Sequence, residues 1–149
     1  MESLPNEPIN LGPPLTRADA LRKVYEHFVI SRAPKALYTG EACVYHLPGH
    51  PQIACAIGCL VPEEHRENVF GSFCGGINTF LGIGPRRHLL KQFLKIETDE
   101  DREFYSRLQE LHDRKFMNVS PTDELALVLE LRNRENLIHG FACAYGIAL

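Results

Sequence analysis

Residues 40–62 read G-E-A-C-V-Y-H-L-P-G-H-P-Q-I-A-C-A-I-G-C-L-V-P, and they limit the fold more than any other stretch. They carry three of the five cysteines and two of the seven histidines. Pro48-Gly49 divides two short apolar runs, with proline and glycine in the order that the central positions of a type II turn require. The chain therefore doubles back here, and residues 43–45 are expected to pair with residues 52–54 as a small antiparallel hairpin. Residues 55–61 are apolar and too short for periodicity to decide between states. A helical turn or two, stopped before Pro62, is expected.

The remainder reads as helices packed around that hairpin. Residues 1–15 contain Pro5, Pro8, Pro13 and Pro14 with little periodicity and are expected to form an extended or mobile arm. Thr16, followed three residues later by Asp19, starts a helix. Leu21, Val24, Tyr25, Phe28 and Val29 then fall on one apolar stripe, which Pro34 ends. Residues 69–84 alternate glycine with Phe70, Phe73, Phe80 and Leu81, in a spacing that matches neither nucleotide-binding fingerprint. A loop whose aromatics plug the core is expected, with Pro85 as the first residue of the helix that follows. Thr98 opens another helix, its first turn acidic as the helix dipole favours. Phe104, Leu108, Leu111 and Lys115 share one of its faces. Ser120-Pro121 marks the next start, residues 125–131 are strongly apolar, and R-N-R-E-N is either an exposed helical turn or a break. The expected fold is one mainly helical α+β domain over residues 16–149, with four to five helices and one small antiparallel β-hairpin.

The chain's 149 residues suffice to bury a core without disulfides or metal. A formal charge of −3 argues against a nucleic-acid binder with a broad basic face. The acidic start lacks a signal peptide's basic and apolar regions, and residues 69–85 hold too many glycines to cross a membrane as a helix. A cytoplasmic protein with reduced thiols is expected, because five cysteines cannot all pair within one chain.

Three sets of residues are candidates for chemistry or binding. Cys43, His46, Cys55 and Cys59 have the ligand types and close spacing of a structural zinc site, although Cys55 and Cys59 sit in a segment that also reads as core. Cys55 near the start of a short helix is a candidate thiol nucleophile, with His112 as base, or alternatively His46 or His50 across the hairpin. His112-Asp113 is the only His-Asp pair in the chain, but neighbours on an α-helix point about 100° apart. Asp113 is therefore expected to orient His112 poorly. Phe70, Phe73, Phe80, Arg86 and Arg87 are candidates for a partner-recognition face, since aromatics and arginine dominate binding hot spots.

The motifs Cys43-x-Tyr45, Gly49, Cys55-Ala-Ile-Gly-Cys-Leu-Val-Pro62, Leu108-Gln-x-x-His112-Asp113 and Phe141-x-x-x-Tyr145 give this chain a likeness over most of residues 18–147. It resembles a group of small uncharacterised proteins of bacteriophages and prophage-bearing bacteria, with a C-A-I-G-x-L-I-P core and a later L-Q-x-x-H-D. In that group the position of Cys59 is not reliably cysteine, which weighs against a zinc set that includes it. The resemblance implies a non-enzymatic accessory protein in the cytoplasm of a bacterial host, binding a host macromolecule, above all a protein such as a defence component. The alternatives are a cysteine-dependent hydrolase or transferase and a small zinc-supported binding domain.

Overall fold

A computed structural model describes residues 9–38 and 42–149. The side chains of Tyr38, Ala42 and Cys43, and the first eight residues of the proline-rich arm, lie outside what it describes. The fold is a mainly helical α+β domain. Six α-helices occur among the described residues, where four to five were expected, together with two short antiparallel ladders.

Local rules place the first helix well. In α1 (Arg17–Tyr25) Thr16 accepts from the Asp19 N–H and Asp19 accepts in return from Thr16, so two end donors are satisfied reciprocally. The helix widens into a π-helical turn over Glu26–Ile30, and its buried side follows the expected stripe through Leu21, Val24 and Phe28. The chain before it lies against the body from Ile9 onward. Leu11 is buried, and the Leu15 N–H donates to the Phe93 carbonyl at 2.8 Å.

The hairpin forms one step later than expected. β1 (Leu37–Tyr38) pairs with β2 (Ala42–Cys43), while β3 (His46–Leu47) pairs with β4 (His50–Ala54). Residues 43–45 are thus not the strand opposite residues 52–54. Pro48 and Gly49, the latter at φ +81°, form a two-residue turn that sets Leu47 opposite His50. The next ladder position falls on Pro51, which has no N–H, and pairing resumes only at His46 opposite Ala54. The apolar run after β4 makes the expected single turn, a 3₁₀ helix over Gly58–Leu60. Here the backbone presses on the hairpin: a Cβ on Gly58 would stand 1.8 Å from the Tyr45 carbonyl oxygen, so only glycine fits.

α2 (Glu63–Phe70) ends just inside the stretch expected to be loop, α3 (Ile77–Ile83) lies within it, and Phe70 and Phe80 plug the core from them. α4 (Arg87–Leu94) starts two residues after Pro85. α5 (Asp99–Glu110) opens on a second reciprocal cap, Thr98 with Asp101, and ends in a π-helical turn, Leu111–Lys115. α6 (Glu124–Ala144) is capped by Asp123, which accepts from the Ala126 N–H, and not by Ser120. Ser120 instead bonds Thr122 within a turn. R-N-R-E-N lies inside α6 without a break. No described helix is long and apolar enough to cross a membrane.

Candidate functional site

Cys55 and His112 lie at the heart of the domain with Asp113 at its edge, and their polar atoms are engaged. Cys55 is 2% exposed. Its sulfur accepts from the Gly58 N–H at 3.3 Å, and burial pushes the thiol well above its ordinary range. His112 is fully buried. Its Nε2 accepts the Ala36 N–H at 3.0 Å, which leaves Nδ1 to carry the proton and donate to Asp113 Oδ1 at 2.6 Å. Asp113 does orient its neighbour, against the expectation from ordinary helical spacing. Both residues lie in the π-helical turn, whose wider winding brings adjacent side chains closer in angle. The Lys35 ammonium bonds the Asp113 carbonyl at 2.7 Å, so the group stitches the segment after α1 to the end of α5. With both ring nitrogens committed, His112 holds the backbone in place and is not free to take a proton from Cys55.

The cysteine–histidine set is also dispersed into local bonds. His46 Nε2 meets the Gly71 carbonyl at 3.0 Å and Glu67 Oε2 at 3.2 Å. The Cys59 thiol donates to the Ala56 carbonyl. No group of three or more histidine, cysteine or acidic side chains stands in metal-binding proximity among the described residues, and the side chain of Cys43 lies outside them. Of the expected recognition residues, Phe70 and Phe80 are buried in one aromatic cluster with Tyr45, whose ring stacks on Phe70 at 4.6 Å. They are core in this fold. Phe73 is half-buried beside them, and Arg86 and Arg87 lie at the start of α4.

The most prominent surface feature is on α6, where the sequence reading placed no site. Successive residues turn about 100° around a helix. Leu125, Val128, Leu129 and Arg132 therefore share one face, and that face points away from the body. Leu125 is 72% exposed, Leu129 56% and Val128 50%. The opposite side buries Glu130, Arg134, Ile138 and Ala142. Arg134 is 1% exposed and fully bonded: its Nε donates to Glu130 Oε2 at 2.8 Å, and its Nη1 to the carbonyls of Phe28 and Ala33. Glu130 accepts in addition from the Met117 N–H and from Asn133. The Phe28 and Phe116 rings flank the guanidinium, with its carbon 5.6 and 5.3 Å from their centroids.

Beside Leu125 and Val128 lies an open groove lined by Arg32, Val128, Leu131, Arg132, Glu135 and Asn136. Among the described residues neither Arg32 nor Arg132 makes an ion pair. Arg32 is also held at φ +55°, a left-handed conformation that L-residues other than glycine rarely adopt. A helical projection of residues 124–144 sets Glu130 and Arg134 opposite Leu125, but it gives no signal that the charged side is the buried one. Comparison with protein-family models, curated proteins and solved structures found no significant match.

Proposed function

We propose that this chain is a non-enzymatic accessory protein of the phage type that acts by binding a host protein, and that the outward face of α6 is its docking surface. The observation that carries this reading is the exposure of Leu125, Val128 and Leu129 on a helix that buries an arginine and a glutamate behind them. A chain free to choose would bury the leucines, since each large apolar side chain taken from water contributes about 1.5–3 kcal/mol. Exposed together, they suit a surface that is covered in a complex. Arg32 and Arg132 at its edge specify the partner's chemistry: a segment that presents apolar side chains flanked by carboxylates. The left-handed backbone at Arg32 supports the same reading, because such strain is retained where a side chain has a task. The complete engagement of Cys55 and His112 supports a role for them in stability.

The test uses the full chain as bait in bacterial host lysate, alongside three variants whose melting curves show them folded at the assay temperature. Wild type and Cys55→Ala are expected to retain one host protein in stoichiometric amount. Leu125→Gln/Leu129→Gln and Arg32→Ala/Arg132→Ala are expected to lose it. Cross-linked peptides mapped from that partner should carry both apolar and acidic residues. Loss on Cys55→Ala, or retention by both α6 variants, would overturn the proposal.

A further inference from the structure

The α6 face suits apolar side chains flanked by carboxylates, and the start of α6 presents that chemistry itself. Glu124 leads into Leu125, Val128 and Leu129. It is exposed, and it makes no ion pair among the described residues. Beyond Val128 lies the groove, about 450 Å³ in volume, that Leu131, Arg132 and Arg32 line. Its two arginines are likewise without an ion pair among the described residues. One end of the face thus offers an apolar knob with a carboxylate, and the other a recess with two guanidinium groups.

Such a face fits a copy of itself turned end over end. In a two-fold pair every contact occurs twice, because residue i meets j and j meets i. With the axis perpendicular to α6 and level with Val128, the two helices run antiparallel. Each residue beyond Val128 then stands level with the residue equally far before it in the second copy. Val128 meets its own counterpart. Leu125 of the second copy stands level with Leu131 and enters the groove, and Glu124 of the second copy stands level with Arg132, against the two arginines. The flanks agree as well. Glu124 and Leu131 are seven residues apart and so share one side of α6, and this two-fold brings like sides together.

We propose that a second copy of this chain covers the α6 face in the free protein, as an antiparallel two-fold dimer that a host protein must displace. The inference rests on the reading of that face as a docking surface. Apolar insertion supplies the attraction, and the paired charges fix the register and the antiparallel sense.

Sedimentation equilibrium of the purified full chain, with reductant present and no host protein, tests it. The apparent mass should rise with concentration from 16.9 kDa toward twice that value. A dissociation constant of about 10–100 μM is expected, the weak range of a small transient interface. Leu125→Gln/Leu129→Gln should weaken association about a hundredfold. Glu124→Arg alone should be monomeric, and so should Arg32→Glu/Arg132→Glu, since each sets like charges against one another. Mixed in equal amounts, these two charge variants should form a heterodimer. The exchanged charges then attract at one end of the interface while the native pairing persists at the other. A mixture that stays monomeric, with melting curves showing both variants folded, would overturn the proposal. So would self-association retained by either charge variant, or a wild-type chain monomeric at every concentration. Capture of a host protein by such a monomeric chain would mean that the host protein alone covers the face. A dimer that behaves as described but captures no host protein would uphold this inference and count against the host-protein reading.

Discussion

α5 and α6 are both long helices, yet the buried side of α6 is half charged where that of α5 is mostly apolar. α5 buries Phe104, Tyr105 and Leu108 and turns its acids outward, the arrangement that apolar burial alone dictates. α6 buries Glu130 and Arg134 and leaves Leu125, Val128 and Leu129 in water. The difference lies in what faces each helix. α5 meets aromatic rings, among them Phe141 and Tyr145 against Phe104. The middle of α6 meets the open end of the π-helical turn Glu26–Ile30, where the carbonyls of Phe28 and Ala33 need donors, and the Met117 N–H needs an acceptor. An arginine–glutamate pair satisfies all of these and leucine satisfies none. A helix face is thus matched to the polarity of its neighbour, and the apolar residues displaced from α6 become available for a partner.

The comparison is broken most severely at Arg134. Arg134→Ala leaves Glu130 charged and buried without its ion-pair partner, and should destabilise the domain by about 3–5 kcal/mol. For a chain of this size that lowers the melting temperature by roughly 10 °C. A melting curve within a degree of wild type would show that the buried pair is not what seats α6.

Leucine truncation then separates the two helices directly. Leu108→Ala in α5, like Ile57→Ala beside the hairpin, should cost about 2–5 kcal/mol, because each side chain is fully buried. Leu125→Ala in α6 should change stability by no more than about 0.5 kcal/mol. Urea titration of the three variants measures the contrast, and equal losses would contradict the assignment of the α6 face to solvent.

Acid sharpens the account of the interior around α1 and α5. Burial, followed by the nearby Arg66 charge, pushes His27 down to about 4, and burial also lowers His112. Because the folded state favours their neutral forms, their contribution is complete above the ordinary histidine pKa of about 6.5 and is lost as the pH falls below it. For His27 the loss approaches about 3 kcal/mol once the pH reaches 4. The Arg17 guanidinium holds the Asp101 carboxyl below its ordinary range, so that group titrates in a lower window. Denaturant midpoints measured between pH 7 and pH 4 should fall steadily, and less steeply in His27→Gln. A flat profile would contradict the buried neutral assignment.

One substitution should bring a small gain. Arg32→Gly removes the strain of a left-handed arginine and should stabilise the domain by about 1 kcal/mol while weakening the partner complex. Calorimetry of the free variant and affinity of the complex should move in opposite directions. A loss of stability would show that Arg32 supports the fold itself.

Much of the architecture was legible in the sequence, and the candidate site was not. The helix starts at Thr16 and Thr98, the Pro48-Gly49 turn, the stripe through Leu21, Val24 and Phe28 and the core aromatics at residues 70 and 80 all follow from atoms within about four residues or from a simple period. The hairpin register shifted because Pro51 lacks a donor, a feature visible in the chain once the ladder is followed step by step. The α6 face was missed because residues 125–131, taken as an isolated window, are apolar on nearly every side and mark no single face.

The amino-acid sequence by itself determined where helices begin, where the chain turns and which stripes are apolar, because caps, turns and periodicity involve only near neighbours. Tertiary structure alone decided that His112 carries its proton on Nδ1, that Asp113 orients it, and that Arg134 lies inside while Leu125 lies outside. Those outcomes depend on groups remote in the chain: the Ala36 N–H is 76 residues from His112, and the carbonyls that hold Arg134 are 101 and 106 residues away. Only the folded backbone brings such donors and acceptors within 3 Å, and at that range the need to satisfy them outweighs the pull of a leucine toward the core.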